Sequence, residues 1–282
     1  MKIGFIIHPD LRSLPFREVA EWAREHGFQA VDLPDVDDQT QRVCEEVGLE
    51  IGALHAPSAV FDPDPHRRAA GLQALKDALS KAADYGIPTV MTLLRPMDKS
   101  KGTAENFATW VKVYPDAVAH AEDRGVKIAV ENCPFLGENL AYSPEIWEAM
   151  FKAIPSPALG LCFDPSHLVW LGVDYLRALY EFGERIYHVH AKDCEHLSEG
   201  LYRYGILGKV FQARNGWDTG WWRYRLPGLG EVNWAQFISA LAEVGYDGIL
   251  SVEHEDPVWE GSEERTKKGL ILGQRHLAQW VV

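Results

Sequence analysis

Short apolar runs alternate with longer amphipathic stretches along the whole chain, and glycine or proline punctuates most of the junctions. Residues 2–8, 30–33, 50–54, 89–94, 127–131, 159–164, 186–193 and 248–253 have strand length and near-continuous hydrophobicity, as strands buried on both faces do. Between them, residues 15–26, 38–47, 66–85, 103–124, 174–182, 234–244 and 262–280 carry helical spacing, and a further helix opens at Ser143-Pro144-Glu145. Helix ends are signalled chemically. Gly27, Gly48, Gly86, Gly125, Gly183 and Gly245 stand where a helix closes, and Thr103 and Asn233 stand as N-caps. Eight strand–helix units with no shift in composition predict an α/β fold, one (β/α)8 barrel domain over residues 1–282. A doubly wound open sheet is the rival, but no glycine-rich phosphate turn follows any strand.

Four of these runs end in metal-ligand side chains instead of turn residues: Glu131, Asp164, His190 and Glu253. One polar strand tip is ordinary, and a lone strand-end histidine is usually a packed residue. Three carboxylates and an imidazole on parallel neighbours are different, because all four tips then emerge on one face of the sheet. In a barrel that face is the mouth where active sites form. Along residues 186–193, the period of two puts His188 and His190 on one face, with Tyr187 and Val189 on the other.

One connection breaks the rhythm. About 40 residues, 194–232, separate the seventh strand from the next helix, where 2–6 are usual. The stretch is rich in aromatics and arginine, including Tyr202, Tyr204, Phe211, Arg214, Trp217, Trp221, Trp222, Arg223, Tyr224 and Arg225. A loop of this length on the active face is a lid or an interaction surface; its rings suit sugar stacking and subunit packing equally well.

Composition narrows the field. A 282-residue chain with 46% hydrophobic and 24% charged residues has a substantial core, and a net charge of −13 opposes a broad nucleic-acid-binding face. The first apolar run is too short for a signal peptide and no run spans a membrane; Cys44, Cys133, Cys162 and Cys194 are scattered, as expected of reduced cytoplasmic thiols.

An ordered set of motifs then carries a family resemblance. It comprises His55-Ala56-Pro57, Glu131-Asn132, Asp164-Pro165-Ser166-His167, His188-Val189-His190-Ala191-Lys192-Asp193, Pro227-Gly228-Leu229-Gly230 and Val252-Glu253-His254. Across nearly its whole length the chain resembles the sugar isomerase/epimerase superfamily of xylose-isomerase-like TIM barrels, which includes ketose 3-epimerases and inosose dehydratases. The resemblance implies that Glu131, Asp164, His190 and Glu253 hold one divalent ion, manganese foremost, with magnesium or cobalt as the others. It also implies that Glu131 and Glu253 form the acid/base pair and that His167 contacts the substrate. Homo-oligomers are common in such families.

The residue types agree with that chemistry independently. Oxygen donors with one imidazole favour a fairly hard divalent ion over a structural zinc. Two glutamates can flank the carbon beside a sugar carbonyl, one removing a proton and the other returning it, by way of an enediolate. His55, His188, Lys192, Arg223 and Arg225 are the remaining candidates for holding a small-molecule sugar, with Lys192 or Asp193 alternatively supporting the ligands. In typical ketose epimerases the arginines follow the metal histidine closely, whereas Arg223 and Arg225 come more than thirty residues after His190. Expulsion of a leaving group from a 3-keto sugar, glycoside or inosose uses the same residues, so the lyase reading stays open. The superfamily's apurinic-endonuclease type needs histidines that are missing after Leu94-Arg95, and an Asp and a His where Trp222 and Tyr224 stand. A non-catalytic sugar-binding barrel completes the alternatives.

Overall fold

The computed structural model describes all residues except 58–59, 209, 212–218 and 282. Arg214 and Trp217 of the aromatic-rich stretch therefore lie outside the described residues. Eight parallel strands close into a barrel: β1 (Lys2–Ile6), β2 (Ala30–Leu33), β3 (Glu50–His55), β4 (Thr89–Thr92), β5 (Lys127–Glu131), β6 (Leu159–Phe163), β7 (Ile186–Ala191) and β10 (Ile249–Val252). They stand in the order β1-β10-β7-β6-β5-β4-β3-β2, with helices between successive strands. A separate antiparallel hairpin, β8 (Asp193–His196) and β9 (Trp222–Arg225), lies within the long connection.

The strands are largely buried on both faces because one lines the barrel interior and the other meets a helix. Trp110, Trp147 and Trp234 fill the outer layer and are buried. Asp37, Asp64, Asp174, Asn233 and Ser262 cap helix starts by accepting backbone N–H bonds, while Gly48 and Gly125 close helices in the left-handed conformation.

Three details differ from the sequence expectation. The helix expected over 103–124 is two, Thr103–Val113 and Pro115–Arg124. Pro115 has no N–H to continue the first helix, but its fixed φ suits the first position of the second. The strand expected over 186–193 ends at Ala191, and Asp193 begins the hairpin. Finally, the β6–β7 register shifts between Leu161 and Cys162, which pairs Cys162 with His188 and leaves Tyr187 extra. Such a bulge rotates the local side chains. Tyr187 consequently packs against the interior residues Met91, Ala129 and Cys162 instead of facing outward. Gly160 makes room for it, since a Cβ there would lie 2.4 Å from the tyrosine ring and 2.3 Å from the Arg185 carbonyl.

The long connection is anchored at its base by one buried carboxylate. Asp193 accepts hydrogen bonds from the backbone N–H groups of Cys194, Gly228, Gly230 and Val232, and from the Trp234 indole, at 2.8–3.2 Å. It thereby ties the start of the excursion to its Pro227-Gly228-Leu229-Gly230 exit. Asp193→Ala orphans these buried donors together. We expect it to cost about 3 kcal/mol or more, by the penalty for unsatisfied buried donors, seen as a lower midpoint in urea unfolding.

Candidate metal centre and reaction pocket

Glu131 ends β5, His190 lies in β7, Glu253 directly follows β10, and Asp164 follows β6 as the cap of the helix Pro165–Leu171. One ligand atom from each of the four lies within 4.8 Å of all the others. His190 Nδ1 sits 3.0 Å from Glu131 Oε1 and 3.2 Å from Glu253 Oε2, so one imidazole nitrogen faces both glutamates. Asp164 divides its work. Its Oδ1 accepts from the Ser166 N–H at 2.8 Å, while its buried Oδ2 makes no hydrogen bond. Asn132 fixes the strand tip by bonding both the Asp164 N–H and its carbonyl, at 2.8 and 2.9 Å.

Burial alone would raise the Glu131 carboxyl, but His190, His167 and Lys192 hold it well below its ordinary value. Asp164 is held down to about 2, its burial outweighed by His167 and Lys192. Glu253 is lowered against its own burial by Lys192 and His190. The three carboxylates are therefore ionised donors at neutral pH. A compact set of three carboxylates and one imidazole fits a divalent cation with mainly oxygen ligands.

Two side chains complete the charge balance. Lys192 is 1% exposed, and its Nζ lies 2.7 Å from Glu253, 3.0 Å from Glu255 and 3.3 Å from Asp164. It thus meets two of the candidate ligands directly, and Glu255 braces it from the rim. His167, also buried, points Nε2 toward Asp164 Oδ2 at 3.2 Å and Glu131 Oε1 at 3.7 Å. Its Nδ1 is 3.1 Å from the Tyr224 hydroxyl.

A second polar layer adjoins the first. His188 Nε2 is 2.7 Å from Asp32 Oδ2, and His55 Nε2 is 3.7 Å from the same oxygen. Asp32 was not among the residues singled out from sequence. The signal was a lone carboxylate at an inward position of the run Ala30-Val31-Asp32-Leu33, legible only once its partner across the barrel is known. Asp32 and His55 also line a cavity of about 200 Å³ with Ile6, Leu11 and Phe16. His8 and His254 pack on each other, ring centroids 4.9 Å apart, and His254 bonds the Trp259 carbonyl. Arg223 and Arg225 turn to carboxylates outside the four-donor group, Arg223 to Glu195 and Arg225 to Asp256 at 3.3 Å and Glu195 at 3.6 Å.

Lys192→Met leaves Glu253, Glu255 and Asp164 crowded without their ammonium. We expect the metal-free variant to lose about 3–5 kcal/mol, the usual cost of breaking a buried ion pair. Saturating Mn²⁺ restores much of the lost thermal stability, because a divalent cation replaces the missing charge. Melting curves with chelator and with metal check this.

Comparison with known proteins places these residues in a lineage. The xylose isomerase-like TIM barrel family matches residues 20–276. An uncharacterized Bacillus subtilis protein, YfiH, is 36% identical, covering 91% of this chain and 93% of its own. An inosose dehydratase of Lacticaseibacillus casei is 30% identical over 54% of this chain and 48% of its own length. Among solved structures, an IolI protein with a bound zinc atom superposes with a TM-score of 0.74 at 19% identity, covering 99% of this chain and 96% of that one. A D-psicose 3-epimerase of Clostridium cellulolyticum H10, solved with D-tagatose, also gives 0.74, at 17% identity over 100% and 99% of the two chains. With the barrel, the strand-tip donors and a family match over most of its length, the chain belongs to the xylose isomerase-like TIM barrel family.

Proposed function

We propose that the protein is a metal-dependent isomerase or epimerase of a keto sugar, moving a proton between Glu131 and Glu253. The observation that carries this reading is the convergence of the two glutamates, from strands at different positions in the barrel, on one nitrogen of His190. Glu131, Asp164, His190 and Glu253 would hold one divalent ion, manganese foremost, with magnesium or cobalt as alternatives. When bound, such an ion supplies Lewis-acid polarisation of a carbonyl and its neighbouring hydroxyl.

The chain's own groups do the rest. Both glutamates are held ionised, so either can accept the proton on the carbon beside the carbonyl. One glutamate takes the proton from one face and leaves an enediolate; the other, after taking up a proton from solvent or a substrate hydroxyl, delivers it to the opposite face and gives an epimer. His167, whose buried Nε2 points between Asp164 and Glu131, would meet a substrate hydroxyl. Lys192 keeps the carboxylates compact, and His55 and His188 lie on the side of the pocket toward the cavity lined by Ile6 and Phe16. Similarity to an inosose dehydratase supports a second reading, in which the same enediolate expels a hydroxyl β to the carbonyl, and the glutamate that took the carbon's proton gives it to the departing hydroxyl as water forms.

Deuterium exchange separates these readings from a binding barrel. In D₂O with Mn²⁺, we expect label to enter beside the carbonyl of D-tagatose, D-fructose or 2-keto-myo-inositol. Loss of water from the inosose would select the lyase. Glu131→Gln and Glu253→Gln should each slow exchange by at least about a hundredfold, as loss of a general acid or base does. Wild-type turnover in either variant would sink the mechanism.

A further inference from the structure

We propose that Tyr224 is a positioning residue of the reaction pocket, through which the long excursion after β7 acts on the chemistry by holding His167. The proposal deepens the reading of Glu131 and Glu253 above and rests on it for its activity readout.

The hairpin register sorts the side chains. Cys194 faces Tyr224 and His196 faces Trp222, while Asp193 faces Arg225 and Glu195 faces Arg223. Because strands alternate with a period of two, the pairing that presents Tyr224 to His167 turns both neighbouring arginines to the other face. That other face is where Arg223 and Arg225 find Glu195 and Asp256. On the Tyr224 face, Trp222 lies flat on Trp170, centroids 4.5 Å apart and planes 6° apart. Trp170 and His167 share the helix Pro165–Leu171, whose cap is Asp164. The stacked pair therefore registers the hairpin against the helix that carries two residues of the pocket. Backbone packing reinforces it: a Cβ at Gly200 would lie 1.8 Å from the Gly220 carbonyl oxygen, so the excursion's short helix rests directly on the approach to β9.

The consequence for His167 is specific. An imidazole presents two ring nitrogens to its surroundings. The Tyr224 hydroxyl, 3.1 Å from Nδ1 with the rings at 90°, occupies one of them. Nε2 is left buried and aimed between Asp164 and Glu131, 3.2 and 3.7 Å from their carboxylate oxygens. Tyr224 thus sets both the ring's orientation and which nitrogen faces the pocket. The same phenol ring lies over Lys192, whose Nζ is 4.5 Å from its centroid, and so closes the wall between the histidine and the ammonium.

The test is Tyr224→Phe, which keeps the ring and removes the hydroxyl, with Tyr202→Phe on the exposed face of the same excursion as control. With D-tagatose or 2-keto-myo-inositol in D₂O, we expect exchange to fall about 10- to 100-fold in Tyr224→Phe, the scale of losing an orienting partner, and to be unchanged in Tyr202→Phe. Metal content per chain should stay at the wild-type value. In a His167→Asn background, Tyr224→Phe should add little further loss, because its effect passes through His167. Equal losses in both backgrounds, or wild-type exchange in Tyr224→Phe, would overturn the proposal. If the wild type exchanges none of these ketones, the glutamate reading fails separately. Tyr224 is then judged by ¹⁵N-histidine NMR, where the ring nitrogens of a single histidine should shift in Tyr224→Phe, and an unchanged spectrum would refute it.

Discussion

The mouth of this barrel depends on one buried ammonium. Glu131, Asp164, Glu253 and Glu255 bring four acidic groups together, two of them wholly sequestered from solvent or nearly so. Like charges this close interact strongly wherever water is excluded. Lys192 answers three of them through direct contacts, and His190 and His167 face the fourth. The arrangement explains why burial fails to neutralise Glu131, Asp164 and Glu253. Glu255, by contrast, stands half-exposed and meets this group through Lys192 at 3.0 Å, which suits a brace at the rim better than a donor.

Much of this was legible in the sequence, for a physical reason. Parallel barrel strands are continuous apolar runs, so a carboxylate or imidazole at their tips stands out, and barrel closure places all tips on one face. That reasoning reaches the barrel and brings Glu131, Asp164, His190 and Glu253 into one group. It does not reach features set by pairing between distant segments. The inward turn of Tyr187 follows from a register shift against β6, the role of Asp32 from a histidine across the barrel, and the contact of Tyr224 from the register of a hairpin closed over nearly thirty residues. The split at Pro115 is of another kind, because the signal was local and its neighbours' helical spacing masked it.

The excursion after β7 shows how a long connection is seated on the barrel mouth, its buried Cys194, Trp221 and Trp222 clustering with Trp170 and Tyr224. Asp193 collects the backbone N–H groups of its exit, so entry and exit share one buried charge. From that base the hairpin needs only strand alternation to divide its chemistry, ion pairs on one face and rings on the other. Loop composition alone offers arginines and aromatics as equal candidates; the register separates them.

The four converging donors all come from β5, β6, β7 and β10, which are consecutive neighbours in the barrel order. The opposite arc, β1 through β4, supplies Ile6, Asp32 and His55 to a cavity wall and none of those four donors. The donor-bearing arc and the cavity-lining arc are thus separate stretches of polypeptide, the second confined to the N-terminal third of the chain. Substitutions along that wall can reshape what the pocket admits while the donor geometry stays put. A barrel partitioned in this way can vary the shape of its mouth without disturbing its donor set.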